Sequence, residues 1–148
     1  MNAGTAASFA LIMLIAGMGI PIMAAMSGGI ARHIGSAPIA SGIIFLIGLS
    51  SAITVAVITG LPAREKVTSI EPMYLLGGVL IAFYAISITI VGPRFGLGNA
   101  IFFVLLGQII SAVVIDHFGL MGAPVTRIDL MRIGGIALML VGVSLARR

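Results

Sequence analysis

The 148-residue sequence has no cysteine and no tryptophan, and only 8% of its residues are charged. Without cysteine there is no disulfide framework and no thiolate metal site. Soluble domains carry about 25% charge, so this chain lacks the polar material to cover a water-facing surface. With no Trp and two Tyr, it cannot build the aromatic cage that holds a quaternary ammonium. The pI near 10.8 reflects a net charge of only +4. The basic residues stand singly between apolar runs, with no basic stripe and interleaved aromatics, so nucleic acid is not an expected partner. There is no His and carboxylate cluster at metal spacing, no glycine-rich phosphate loop with a lysine, and no Ser–His–Asp set. No enzyme is expected, and no cofactor or metal.

What the sequence does have is apolar length. Hydrophobic residues make up 60% of the chain and the mean hydropathy is +1.28. A spanning helix needs about 20 apolar residues, and five candidate segments meet or approach that: 6–30, 38–60, 72–91, 97–115 and 130–145. The fold class expected is all-α, an integral membrane five-helix bundle forming a single transmembrane domain over 1–148. The lipid bilayer is its solvent and the inner (plasma) membrane its multi-pass location. No Lys or Arg precedes the first apolar run, so that run reads as a retained helix rather than a cleaved signal. The fifth segment is short, about 24 Å long, and Arg127, Arg132, Arg147 and Arg148 at its ends would snorkel to complete the crossing. Pro38 and Pro72 stand at helix starts, where a missing N–H costs nothing. Gly92-Pro93 is expected to close the third helix, leaving Arg94 in a tight five-residue loop, 92–96.

Five crossings put the termini on opposite sides. Arg64, Lys66, Arg127 and Arg132 then flank the N-terminal side, and Arg32, Arg94, Arg147 and Arg148 the other, four against four. Orientation follows Lys/Arg bias, and here the bias is zero. The expected consequence is insertion both ways, with a second copy in opposite orientation as partner: an antiparallel homodimer of ten helices. The alternative is a single orientation imposed by something else, such as a partner subunit.

Polar residues within the apolar runs are the candidate site. In the first segment Pro21 cannot donate to the carbonyl of Gly17, so a bend is expected there; it serves either packing or a broken-helix binding site of the kind transporters use. Met23, Met26 and Ser27 follow. Tyr84 and Ser87 share a face of the third segment. Gln108 and Ser111, three residues apart, share a face of the fourth. An amide buried in hydrocarbon without partners costs several kcal/mol. Gln108 therefore either bonds another helix or contacts substrate. Thr54, Thr89 and Asn99 read as packing or end residues. Asp116 and His117 end the fourth helix at the interface; they are either a solvated end or the only candidates for proton coupling through a side chain. Gly135 and Gly142, seven apart, line one face of the fifth segment, a candidate dimer seam. Arg94 either anchors at the headgroups or attracts an anionic group at a cavity mouth.

The stretch Gly92-Pro93-Arg94-Phe95-Gly96, Gly107-Gln108 with Ser111, and Asp116-His117-Phe118-Gly119-Leu120, together with Pro21, Arg32-His33 and Gly35-Ser36, resembles the YdcZ-type five-helix members of the drug/metabolite transporter superfamily. The likeness covers nearly the whole chain. The glycine line of the last segment is similar to the dimerising helix of small multidrug resistance proteins. The resemblance implies a half-size transporter, whose two copies pair head to foot to equal a ten-helix relative, with substrate near the midplane. Two features depart from the pattern. Met23 and Ser27 stand where the family has Gln and then Asn, and the first-helix Glu carried by members resembling small multidrug resistance proteins is absent.

The function expected is transport of small organic metabolites or drugs, with Gln108, Ser111, Tyr84, Ser87 and Ser27 lining the cavity and a small-molecule substrate that is neutral or weakly amphipathic. The alternatives are a non-transporting membrane scaffold and one half of a heteromeric transporter with a second five-helix chain. The orientation expectation has a direct test. A single cysteine placed in a connection of this cysteine-free chain should react with impermeant maleimide from both sides of the membrane; labelling from one side alone would sink dual topology.

Overall fold

A computed structural model of the chain describes residues 3–146, so Arg147 and Arg148, and with them the side chain of Arg132, lie outside the described residues. Among the described residues the architecture is all-α. Its helices are α1 (Ala3–Ile34), α2 (Ala37–Thr59), a one-turn α3 (Arg64–Thr68), α4 (Pro72–Phe95), α5 (Leu97–Phe118) and α6 (Leu130–Ala146), with a 3₁₀ turn at Leu120–Gly122. Four of them, α1, α2, α4 and α5, are long and apolar enough to cross a membrane; α6, at 17 residues, is shorter.

Local chemistry sets the ends. α1 stops at Gly35, whose φ of +74° no side-chain-bearing residue adopts cheaply. Ser36 then caps α2, its hydroxyl accepting from the Ile39 amide at 3.5 Å, and Pro38 sits in the first turn. One expectation is corrected here: Gly92-Pro93 does not close its helix. α4 runs through Pro93 to Phe95, because a proline in the last turn forfeits only its own bond to the Thr89 carbonyl. Gly96, at φ +88°, makes the stop. Arg94 therefore belongs to the last turn of α4, and the connection to α5 is a single glycine.

The chain divides into two compact units, one ending at Arg94 and the next beginning at Phe95. In the first unit the buried residues are small and gather toward one end of three helices: Ala24, Ser27 and Gly28 on α1, Ala40 and Ser41 on α2, and Ala85, Thr89 and Gly92 with Ile88 on α4. On α1 and α4 these positions recur every three to four residues and so form one stripe per helix. Small stripes let backbones approach, which is how helices attract one another where lipid offers no hydrophobic driving force. Elsewhere the helices are lapped on all sides. Leu11, Ile12, Met13, Leu14 and Ile15 are consecutive and all exposed; five successive residues circle the helix, so this stretch of α1 has no buried face.

In the second unit Phe102, Leu105, Leu106 and Ile109 of α5 meet Met139 and Leu140 of α6. The connection between them folds back on α5. Gly119 takes the left-handed φ of +61° that ends the helix. The Thr126 amide then donates to the Asp116 carbonyl at 2.9 Å.

The small stripe on α4 makes a measurable claim. Ala85→Leu, at a position 2% exposed, should overpack the seam and cost about 1–3 kcal/mol of stability. Leu80→Ala, at a position 69% exposed on the same helix, should change it little. Thermal unfolding of the two variants in detergent would compare them; equal midpoints would remove the seam's assigned role.

Candidate functional site

The polar groups within the spanning helices fall into three states. The first is satisfied within one helix. Ser50, Ser51, Thr54 and Thr59 on α2 donate to the carbonyls of Leu46, Ile47, Ser50 and Val55, at 2.8–2.9 Å. Asn99 donates likewise to Phe95, at 3.0 Å. The hydroxyls can face lipid because their one proton is already donated.

The second state is satisfied between helices. Thr89 Oγ1 donates its one proton to the Ala85 carbonyl at 2.7 Å. Ser27 Oγ, 2.8 Å away, must then be the donor to Thr89. Both are buried, at 1% and 2% exposure. Ser27, expected to line the cavity, is here buried between α1 and α4 and bonded to Thr89. Thr89, read only as a packing residue, is the partner that holds it. The spacing Ala24, Ser27, Gly28 against Ala85, Thr89, Gly92 is the signal from which the pair was legible.

The third state is unsatisfied. Tyr84 is half-buried and its hydroxyl, shielded from solvent, has no partner; the same holds for the hydroxyl of Ser41, a residue that sequence patterning does not single out because a serine one turn into an apolar helix carries no mark of its burial. Ser87, half-buried, flanks the small stripe of α4 alongside Tyr84. On α5, Gln108 and Ser111 are both exposed. At about 100° per residue they lie on the side of α5 away from the Phe102, Leu105 and Ile109 face that meets α6. Among the described residues neither side chain has a hydrogen bond within the chain. Gln108 stands mid-helix in α5, where a bare amide facing hydrocarbon costs several kcal/mol.

The remaining candidates are placed as follows. α1 runs without interruption through Gly17 and Pro21, and the space beside Gly17 is open. His117, at the end of α5, accepts the Ile128 amide on Nδ1 at 3.2 Å, so its ring, edge-on to Phe118 at 4.8 Å, pins the returning connection. Asp116 contributes its backbone carbonyl to the same fold-back. Gly135 and Gly142 on α6 are exposed, with nothing within 4 Å of where a Cβ would stand; their line lies roughly a third of a turn from Ile136 and Leu140, the half-buried side of α6. Among the described residues no group of three His, Cys, Asp or Glu side chains is placed to hold a metal ion.

At the Arg32 end of the first unit lies an open groove of about 290 Å³. It is lined by Gly28 and Arg32 of α1, Ser36 and Ala37 at the start of α2, and Thr89, Pro93 and Arg94 of α4, among others.

No curated protein and no solved structure matches the chain. A family model does, that of DMT_YdcZ, described as "Putative inner membrane exporter, YdcZ", over residues 8–145. That span takes in every candidate residue above, and with four membrane-length apolar helices it marks a multi-pass inner-membrane protein of transport: the chain belongs to the YdcZ family.

Proposed function

We propose that the chain exports a small, neutral or weakly amphipathic organic molecule, working as an antiparallel homodimer whose two oppositely inserted copies enclose a binding cavity near the midplane. The observation that carries this is the amide of Gln108. It stands mid-helix in α5, exposed and without a hydrogen bond in its own chain, although every serine and threonine hydroxyl on the exposed half of α2 is satisfied internally. An amide kept bare in hydrocarbon needs an occupant opposite it, which a second copy and a substrate supply. Ser111 on the same face extends the polar strip, and Tyr84 and Ser87 offer hydroxyls of the same kind from α4. The balanced charge of the connections supports pairing with an identical chain over pairing with a biased one. Gly135 and Gly142, whose face is uncovered, suit close approach of two copies of α6.

The roles divide by chemistry. The Gln108 amide donates and accepts, so it fixes the orientation of a neutral polar group. The sequence places no basic residue deep in an apolar segment, which disfavours a strongly anionic cargo. Access alternates by rocking of one copy against the other, with α1 flexing where Pro21 leaves the Gly17 carbonyl unbonded. A proton-coupled cycle would run through Asp116 or His117, and protonation of His117 at Nδ1 would displace the Ile128 amide.

A thermal-shift screen on the purified protein identifies a binder, since a ligand raises the melting temperature by mass action; flux of that compound is then measured in proteoliposomes. Gln108→Ala should lower flux about tenfold, the loss of one or two hydrogen bonds to the substrate, and Tyr84→Phe should lower it less. If both variants transport at the original rate, the cavity is misplaced. If neither binding nor flux is found for any compound and the variants leave the cellular phenotype intact, the scaffold reading replaces this one.

A further inference from the structure

We infer that the groove between the ends of α1 and α4 is a binding site for a phosphate group, carried by the headgroup of an anionic phospholipid. The case starts from the way Arg32 is turned. Its Cα lies in the last turn of α1, where a lysine or arginine ordinarily reaches outward to water. Here the guanidinium folds back along its own helix. Nη1 lies 3.7 Å from the point that a Cβ on Gly28 would occupy, and Nη2 lies 3.9 Å from the corresponding point on Gly29. The two glycines form a shelf about one turn deeper than the Arg32 backbone. Pro93 closes the other side, 3.6 Å from the same Gly28 point.

The charge on this shelf is not answered by the protein. Arg94 also lines the groove, so two exposed arginines border it, and among the described residues neither forms a salt bridge. The groove is also lined by Ser36 and Ala37 at the start of α2, whose first amides add partial positive charge. Two arginines bordering one groove without a carboxylate partner favour a bound anion. A guanidinium's planar fork suits phosphate oxygens, which it grips in pairs. The volume, about 290 Å³, accommodates a phosphodiester and part of a glycerol. Because the groove opens where α1 and α4 end and α2 begins, it lies at headgroup level, which makes the lipid the source rather than a soluble phosphate. The site shares no residue with the Gln108 strip and does not depend on what the transporter carries.

The test uses the full chain in neutral detergent. Dioleoyl-phosphatidylglycerol, dioleoyl-phosphatidylcholine or inorganic phosphate is added, with lipid adducts counted by native mass spectrometry and melting temperatures followed in parallel. Phosphatidylglycerol should bind and raise the melting temperature more than phosphatidylcholine. The double variant Arg32→Gln, Arg94→Gln should bind it about tenfold more weakly or worse, as expected for losing charge-assisted hydrogen bonds, and Arg32→Lys should recover part of the difference. Stabilisation by inorganic phosphate without preference between the lipids, lost in the double variant, would keep the phosphate site but overturn its lipid source. Equal binding of the two lipids with no effect of phosphate, or an unchanged phosphatidylglycerol affinity in the double variant, would overturn the site. Should the double variant not fold, the comparison of probes on the unaltered chain decides alone.

Discussion

A polar atom within a bilayer has no water to fall back on, so each hydrogen bond left unmade is charged in full against the fold. This constraint sorts the polar residues of the chain more sharply than any packing rule. The hydroxyls on the C-terminal half of α2 donate to carbonyls one turn back and keep no proton for a neighbour. Ser27 donates to Thr89, which itself donates to the Ala85 carbonyl, and the pair marks where α1 and α4 touch. Gln108 has neither outlet. A structural amide would be expected to find a partner inside its own chain, and a residue that finds none points outward, to whatever completes the protein.

The same scarcity explains why the buried set of the first unit is so small in both number and size. Ala24, Ala40 and Ala85 carry almost no side-chain surface, and Gly28 and Gly92 carry none. Their value lies in how closely the backbones can approach, and therefore in dispersion contacts among backbone atoms that bulkier residues would hold apart. Large apolar side chains are spent on the outside, facing lipid. Gly28 serves twice: it is buried in the seam, and with Gly29 it leaves the open shelf beside which the Arg32 guanidinium lies.

Much of this was legible in the sequence, for reasons that differ by level. The membrane class followed from the shortage of charge, and the helix count from run length; the starts at Pro38 and Pro72 followed from proline chemistry. The end of α4 was not legible at Pro93, because proline breaks a helix interior but costs little in a last turn, and the decisive residue was Gly96. The orientation of each helix was the least accessible. α1, α2, α4 and α5 are apolar all round, so no 3.6-residue rhythm separates a packed face from a lipid face. That is why Ser27 and Gln108, similar on paper as lone polar residues in apolar runs, have opposite surroundings: one sealed between helices, the other uncovered. The unpaired state of Ser41 depends on neighbours distant in sequence and had no local signature.

The four back-bonded hydroxyls of α2 have a mechanical side. The carbonyls of Leu46, Ile47, Ser50 and Val55 each serve a side-chain hydroxyl as well as the helix ladder, and sharing of this kind weakens the ladder and curves the rod. The C-terminal half of α2 is thereby the part of that helix disposed to curve, while its other end is packed through Ala40 and Ser41.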